Sequence, residues 1–370
     1  MIPAQLLSRL EGLANLFQNP FSIGFLGYFI VLIALSCLFY RQQNAIFERW
    51  LYWVMGSLLL LFTALRPMGL GIDDPGYIEI SKGICAFTEC LNLIQAPRDW
   101  AWYALVGLLK SLVSGERAVL LLAALGLATK LFVIDRLCHQ KLLALTLFIP
   151  LVYLLFDFTI FRADLALSMY FCAVYLLVRA RLILGNGLLL ANFLAHSQAI
   201  FSIGLWPFHW IAKFKKIALA IIAIALLGIY LQITPSIQFL SLFVKGAAQT
   251  YLEQAQNGGF AGVKLFPALY LLLLAYLGVI LVFSKTVLNQ SQPSKDISQY
   301  VLASILLALA LAWFFAPIRV MQSRLLEFYF APIVLIAGNL ERNRWTFLGT
   351  IVLAIFIYAR MELIHNFILG

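Results

Sequence analysis

Charge is scarce in this sequence of 370 residues, because Asp, Glu, Lys and Arg together make up only 11% of it. A typical soluble domain carries about 25% charged residues. Hydrophobic residues reach 63%, against roughly 45–50% in soluble domains. A water-soluble fold cannot cover itself with so little charge, and a disordered chain needs the opposite composition. The composition therefore excludes a soluble enzyme and a disordered regulator, and it predicts an integral membrane protein.

Long polar stretches are also rare. Apolar blocks of about 15–22 residues recur along the chain, and this length suits a helix that crosses a bilayer. We predict one all-α transmembrane domain, residues 21–370, with about twelve spanning helices. The predicted spans are 21–40, 50–65, 118–134, 142–156, 163–178, 182–195, 199–211, 217–233, 265–283, 300–315, 325–340 and 346–361. Residues 1–20 do not follow the signal-peptide pattern, and their leucines recur at helical spacing, which predicts an interfacial amphipathic helix.

The basic residues give the chain a net charge of +10. They lie in short runs between apolar blocks rather than along one polar face, which argues against a nucleic-acid partner. Alternate loops carry these runs, so the positive-inside rule predicts that those loops are cytoplasmic. The long polar segments 66–117 and 234–262 then face the extracytoplasmic side. This orientation requires Trp100–Ser114 to form a re-entrant or surface helix instead of a span.

Cysteine and histidine are few, with five and four copies. No cysteine pairs with a histidine at the spacing of a zinc site, so we predict no metal centre. Cys85 and Cys90 share the first outer segment. They form a disulfide in one interpretation and remain thiols in the other, because their short spacing demands a tight bend.

Four arginines on the predicted outer side abut apolar spans, against the orientation rule. They are Arg66, Arg162, Arg319 and Arg324. An ionisable group at membrane depth is costly and usually faces a cavity or a partner. Together the four favour a phosphate or pyrophosphate site, because a guanidinium binds such groups bidentately. The alternative is local pairing, of Arg162 with Asp157 or Asp164 and of Arg324 with Glu327.

Two residues on the same side are candidate general bases. Asp73 lies in the first outer segment, and His196 lies in a polar break between apolar blocks. A carboxylate or an imidazole beside an acceptor hydroxyl can take its proton. Alternatively, Asp73 and Asp74 bind a divalent ion, or Asp74 belongs only to a turn. His196 is, in the alternative interpretation, a packing residue.

These candidates fall in short motifs that occur in a fixed order. The motifs are Gly71-Ile72-Asp73 with Tyr77 after Arg66, Phe161-Arg162-Ala163-Asp164-Leu165-Ala166, Ala195-His196-Ser197-Gln198-Ala199, and Arg324 with Tyr329-Phe330. Their order and residue types resemble the EpsG/Wzy-type polysaccharide polymerases. Two positions depart from the family pattern. Pro97-Arg98-Asp99 stands in place of a Glu-Pro pair, and Asp164 replaces a neutral residue.

The resemblance implies a metal-independent glycosyltransferase of GT-C-like architecture that uses no cofactor. It would lie in the bacterial cytoplasmic (inner) membrane, with its active site facing the periplasm or the cell exterior. The implied reaction moves a glycan from undecaprenyl pyrophosphate onto a lipid-linked repeat unit, in O-antigen or exopolysaccharide polymerisation. Implied partners are the lipid-linked oligosaccharide, the bilayer and a chain-length regulator.

In this interpretation Asp73 or His196 activates the acceptor hydroxyl. The remaining site residues would bind the pyrophosphate and the glycan, and they are Arg66, Asp74, Tyr77, Arg162, Arg319, Arg324 and Glu327. The segment 234–262 would close over the substrates.

Two other functions remain open. One is a polyprenyl-phosphate-sugar glycosyltransferase that adds a single sugar, with Asp73 and Asp74 holding a metal ion. The other is a lipid-linked oligosaccharide flippase, which should distribute charges through the bilayer and contain related halves. The sequence has neither feature, since Lys130 is the one charge well inside a predicted span. Its long side chain can snorkel to the interface.

Overall fold

The computed structural model of the protein describes residues 20–42, 44–71, 73–84, 99–230, 268–282, 292–316, 318–341 and 343–365. Helices and turns account for the regular structure in these ranges, which confirms the all-α prediction. Residues 1–19 of the predicted interfacial helix, the cysteines at 85 and 90, and the segment 234–262 lie outside the described residues.

The chain divides into two compact units, of which the first is Met1–Ser202 with Val334–Gly370 and the second is Ile203–Ile333. In chain order the elements are α1 (Pro20–Gln42), α2 (Ala45–Leu65), α3 (Asp74–Gly83), α4 (Trp100–Lys110), α5 (Gly115–Leu137), α6 (Lys141–Phe148), a π-helical segment (Ile149–Asp157), α7 (Phe161–Val178), α8 (Leu182–Ala195), a 3₁₀ segment (Ser197–Gly204), α9 (Leu205–Ala212), α10 (Lys215–Tyr230), α11 (Ala268–Val282), α12 (Gln292–Phe314), α13 (Arg319–Phe330), α14 (Ile333–Ala337) and α15 (Arg344–His365).

Five of the described helices are long and apolar enough to cross a membrane. The qualifying stretches are Ile23–Tyr40, Ala45–Leu65, Gly115–Leu137, Phe161–Val178 and Asp296–Phe314. Helices α8, α10, α11 and α15 contain shorter apolar stretches. The chain therefore has several membrane-capable helices, while the total of about twelve spans and the GT-C-like architecture stay predictions.

Helix α4 has 11 residues, which corresponds to a length of about 16 Å. This is too short for a hydrocarbon core of about 30 Å, in keeping with the prediction that this stretch does not span.

Two predicted spans are divided by prolines. The span 142–156 begins as α6 and becomes π-helical at Ile149, and Pro150 lies at the start of that segment. The span 325–340 is divided between α13 and α14, and Pro332 lies between them. Proline has no N–H to donate to an α-helical ladder, so the regular hydrogen-bond pattern is interrupted there.

The core of the first unit forms where α7 packs against α5 and α8, and where α5 packs against α2. Large aromatic side chains are completely buried there, and two tyrosine hydroxyls among them have hydrogen-bond partners. The Tyr52 hydroxyl donates to the Leu131 carbonyl at 2.7 Å, and the Tyr153 hydroxyl lies 3.0 Å from that of Thr63. These bonds satisfy polar groups that would be costly to bury alone.

A second set of contacts fixes the short helices α3 and α4 against the longer ones. An apolar cluster of Tyr77, Trp102, Val106, Ala118 and Phe161, among others, joins α3, α4, α5 and α7. At the helix ends, Lys110 Nζ donates to the Ser81 carbonyl at 2.9 Å. Arg117 donates to the last carbonyls of α2 at 3.2–3.3 Å. These bonds satisfy carbonyls that a helix end leaves without an internal partner.

The second unit has its own buried core. Helix α12 packs against α9, α10 and α13. The ring of His209 stacks on that of Tyr300 with 4.0 Å between centroids, and the Ser304 hydroxyl donates to the Tyr329 carbonyl at 2.6 Å. The predicted span 199–211 is divided here into the 3₁₀ segment and α9.

Candidate active site

Helix ends of the first unit converge at one place. The chain leaves α2 at Arg66 and enters α3 at Asp74, where these two residues form an ion pair. The chain enters α4 at Asp99 and α7 near Arg162, and these two residues also form an ion pair. The turn after α8 joins the group through Ser197, whose N–H donates to Asp99. The predicted outer-side residues of the first unit are thus brought together.

Arg66 and Asp74 form a closed internal pair. Two guanidinium nitrogens donate to the two Asp74 oxygens at 2.6 and 3.0 Å, and one also donates to the Phe158 carbonyl at 2.8 Å. Asp74 accepts further bonds from the N–H groups of Gly69 and Gly71. Both side chains are fully buried. This arrangement fixes the turn before α3 and leaves Arg66 no exposed face for a phosphate.

Gly71 permits this turn because there is no room for a side chain. A Cβ at this position would lie 2.8 Å from Asp74 Oδ1 and 2.9 Å from the Phe158 carbonyl oxygen. Such distances are well inside van der Waals contact. The Gly-Ile-Asp motif therefore has a structural basis at its glycine and at the following Asp74.

Asp99 is the central acceptor of a second cluster. Its Oδ2 accepts from an Arg162 terminal nitrogen at 3.1 Å, and its Oδ1 accepts from the Ser197 N–H at 2.8 Å. His196 Nδ1 lies 3.5 Å from the same Oδ1. One carboxylate therefore connects the start of α4, the start of α7 and the turn after α8. We call Asp99, Arg162, His196 and Tyr77 the Asp99 cluster.

Arg162 is the partly accessible cation of the Asp99 cluster, with 34% of its side chain exposed. Its backbone N–H donates to the Tyr77 hydroxyl at 3.3 Å, and its guanidinium carbon lies 6.0 Å from the centre of the Tyr77 ring. Within the described residues, its Nε is buried without a hydrogen-bond partner. The alternative pairing of Arg162 with Asp157 or Asp164 is not formed, because its carboxylate partner is Asp99.

His196 follows the last residue of α8 and has an extended backbone, with φ −155° and ψ 128°. Its side chain is 12% exposed. Nε2 lies 3.3 Å from the Gln198 side-chain oxygen, while buried Nδ1 has no well-aligned hydrogen bond within the described residues. An amide exchanges its oxygen and nitrogen by a half-turn, so Gln198 can accept from Nε2 or donate to it.

The electrostatics of the cluster favour an ionised Asp99 and a neutral Tyr77. Burial raises the pKa of Asp99, but the facing His196, the Ser197 N–H and the Arg162 charge outweigh it, so the pKa lies below its ordinary value. Burial raises the pKa of Tyr77, and Arg162 offsets only part of that effect. At neutral pH the cluster thus contains an anion that faces a cation and an imidazole.

A third group of charges lies next to the Asp99 cluster along α7. Lys130 Nζ lies 2.9 Å from Asp157 Oδ1, donates to Asp164, and lies 3.0 Å from the Ser168 hydroxyl. The three charged side chains are at most 1% exposed. The interpretation that Lys130 snorkels to the interface is therefore wrong. We call Lys130, Asp157 and Asp164 the buried triad.

The other predicted site residues are Asp73 in the first unit and three residues of α13 in the second. Asp73 precedes α3 without a side-chain capping bond, and its charge acts on the nearby Tyr77 hydroxyl. Arg324 and Glu327 lie one turn apart on α13 of the second unit and are both partly exposed. Arg319 begins the same helix. Its side chain is not among the described parts of the structure.

Sequence reasoning missed Asp99 as a site residue. The available signal was its position, since it is an acid directly before an apolar helix at a point where the family pattern has another acid. For a divalent ion, no group of three His, Cys, Asp or Glu side chains lies close enough together among the described residues. Asp74 in particular directs both its oxygens to Arg66 and backbone N–H groups.

Comparison with family models matches residues 49–368 to the EpsG family. The chain belongs to the EpsG family. The match includes every residue of the Asp99 cluster and the buried triad, and it confirms the resemblance found in the sequence. EpsG membership supports a role of the polysaccharide-polymerase type, carried out by a glycosyltransferase with membrane-capable helices. No curated protein and no solved structure matches the chain.

Proposed function

We propose that this EpsG-family protein polymerises a polysaccharide by transferring a glycan from undecaprenyl pyrophosphate onto a lipid-linked repeat unit. The observation that carries this proposal is the Asp99 cluster, in which one carboxylate contacts both Arg162 and His196. The transfer needs a cation for the leaving pyrophosphate and a base for the acceptor hydroxyl. These are the two groups that Asp99 brings together.

The proposed reaction is a displacement at the anomeric carbon. The acceptor oxygen forms the new glycosidic bond, the bond to the pyrophosphate oxygen breaks, and its electron pair leaves with the pyrophosphate. The acceptor proton passes to His196 Nε2, and the resulting imidazolium faces Asp99. Arg162 stabilises the negative charge that develops on the leaving group. No metal ion or cofactor takes part in this scheme.

Other residues have supporting parts in the proposal. Arg66 and Asp74 hold the turn before α3 through their mutual hydrogen bonds. Both side chains are fully buried, so they are assigned a structural part and not a contact with substrate. Tyr77 supports the start of α7 through its bond to the Arg162 N–H. Asp73 remains the second candidate base, since it is partly exposed near Tyr77. Arg319, Arg324 and Glu327 on α13 are proposed to bind pyrophosphate or glycan.

The proposed location is the bacterial cytoplasmic membrane, with the Asp99 cluster facing the periplasm or the cell exterior. This orientation rests on the positive-inside pattern of the loops. A polyprenyl tail would lie against apolar helix surface, with its pyrophosphate at headgroup level near Arg162. The product would be an O-antigen or exopolysaccharide chain, with a separate partner regulating its length.

The decisive experiment supplies purified protein in nanodiscs with a lipid-linked repeat unit. We expect a ladder of glycans and release of undecaprenyl pyrophosphate, both unaffected by EDTA. Arg162→Ala should abolish most of the ladder without a large change in melting temperature. If no ladder forms and the lipid is instead translocated in liposomes, the protein is a flippase. Addition of only one sugar, with inhibition by EDTA, identifies a metal-dependent glycosyltransferase.

A further inference from the structure

The conformation of Asp99 is unusual for a residue that begins a helix. An aspartate at this position normally accepts a hydrogen bond from the first turn of its own helix. Asp99 makes no such side-chain bond to α4, and its backbone is left-handed, with φ 55°. That conformation is disfavoured for residues other than glycine. Asp99 therefore does not stabilise the start of α4 by capping, and its carboxylate contacts other parts of the chain.

The carboxylate instead contacts the ends of two other helices. Oδ2 accepts from Arg162 at the start of α7, and Oδ1 accepts from the Ser197 N–H after α8. His196 Nδ1 also faces Oδ1, at 3.5 Å. Asp99 itself is only 6% exposed, so it is poorly placed to contact a glycan. Its contacts are directed at the two groups that the proposed reaction uses.

The position of Asp99 selects one tautomer of His196. Neutral imidazole carries its proton on one ring nitrogen and accepts on the other. Nδ1 is buried and lies 3.5 Å from Asp99 Oδ1, without the alignment of a hydrogen bond, but this carboxylate cannot donate and its charge favours a proton on Nδ1. Gln198, whose side chain lies 3.3 Å from Nε2, is compatible with this tautomer when its amide nitrogen faces the ring. Nε2 is then the atom that accepts a proton. A carboxylate behind a histidine has this orienting effect in general.

We infer that Asp99 is a positioning residue, which holds His196 with Nε2 ready to accept a proton and holds Arg162 beside it. This inference rests on the proposed function for its catalytic consequence, although the tautomer itself can be measured without any activity. The titratable groups that face Asp99, Arg162 and His196 are Tyr77 of the same cluster, Asp73 before α3 and Tyr103 from α4.

The central test compares Asp99→Asn with Asp99→Glu in the polymerisation assay. The amide keeps the size of the side chain and removes its charge, so His196 loses the anion that fixes its tautomer. We expect kcat to fall by roughly 10²- to 10⁴-fold, with KM changed by less than about threefold. Asp99→Glu restores the carboxylate and should recover a large part of kcat. The matched control is Asp135→Asn, which breaks an aspartate–arginine pair with Arg49 elsewhere in the same unit.

A double variant separates positioning from simple structural support. If Asp99 acts through His196, Asp99→Asn should lower kcat by a much smaller factor in a His196→Gln background than in the native protein. A residue that only supports the fold would lower kcat by the same factor in both backgrounds. That outcome, or the absence of rescue by Asp99→Glu, would overturn the inference.

Nitrogen-15 NMR of labelled histidine tests the tautomer directly. Only four histidines are present, and a His196→Gln spectrum identifies the relevant signal. We expect the neutral His196 ring to be protonated at Nδ1 in the native protein and to shift toward Nε2 protonation in Asp99→Asn. Native protein with the Nε2-protonated ring contradicts the inference. If the tautomer is as expected but no polymerisation occurs, the proposed function fails and the positioning of His196 stands.

Discussion

The buried triad makes a strong prediction about stability, tested by Lys130→Met. Methionine fills similar volume but removes the ammonium group that contacts both Asp157 and Asp164. All three side chains are buried, so water cannot replace the lost partner. Breaking a buried ion pair in this way costs about 3–5 kcal/mol. For a protein of this size, we expect the melting temperature to fall by roughly 4–6 °C.

The assay is thermal unfolding in one detergent, followed by near-ultraviolet circular dichroism. Ser168→Ala is the mild control, because it removes one hydrogen bond to Lys130, a loss of about 1 kcal/mol. A triple variant with Lys130→Met, Asp157→Asn and Asp164→Asn should recover most of the lost stability, because it contains no unpaired charge. A Lys130→Met melting temperature within 2 °C of the native value would refute a buried lysine and restore the snorkelling interpretation.

Three further predictions concern the Asp99 cluster and the buried triad. Arg162→Ala should lower kcat by about 10²- to 10³-fold, the value of one transition-state donor, as measured in the polymerisation assay. Gly126→Ala should lower the free energy of unfolding by about 1–3 kcal/mol, because its Cβ would lie 2.5 Å from Asp164 Oδ2; an unchanged denaturant midpoint would contradict this. Because the pKa of folded Asp99 lies below its ordinary value, its stabilising effect is present above the unfolded pKa, about 4, and disappears as pH falls through the lower folded pKa. Native protein should therefore lose more stability than Asp99→Asn as the pH falls from about 5 in acid unfolding scans.

The sequence predicted the all-α class because helical membrane segments are encoded locally, in composition and run length. It also selected Arg162, His196 and Tyr77, which do lie together. It did not predict their partners, since these come from distant parts of the chain. Asp99 is separated by 63 residues from Arg162 and by 98 from Ser197. Pairing over such distances is fixed by helix packing, which spacing along the sequence does not report.

The same limit explains the two wrong interpretations of charge. Acids near Arg162 in the sequence were considered as its partners, but Asp164 lies on a different face of α7 and contacts Lys130 instead. Lys130 looked like an isolated charge in an apolar helix, whereas its partners lie 27 and 34 residues further along the chain. A lysine without partners would have to reach the interface. The snorkelling interpretation was wrong because the sequence does not show that Asp157 and Asp164 pair with Lys130.

The buried triad and the Asp99 cluster are connected through the start of α7. Asp157 ends the π-helical segment, and Asp164 lies two residues after Arg162. The ion pairs of Lys130 with both acids therefore hold the turn before α7 and its first helical turn in one arrangement. Arg162 lies in this same first turn, so its position relative to Asp99 depends on Asp157 and Asp164. This dependence gives the costly buried charges a role. They hold in place the helix end that presents the partly exposed cation of the proposed site.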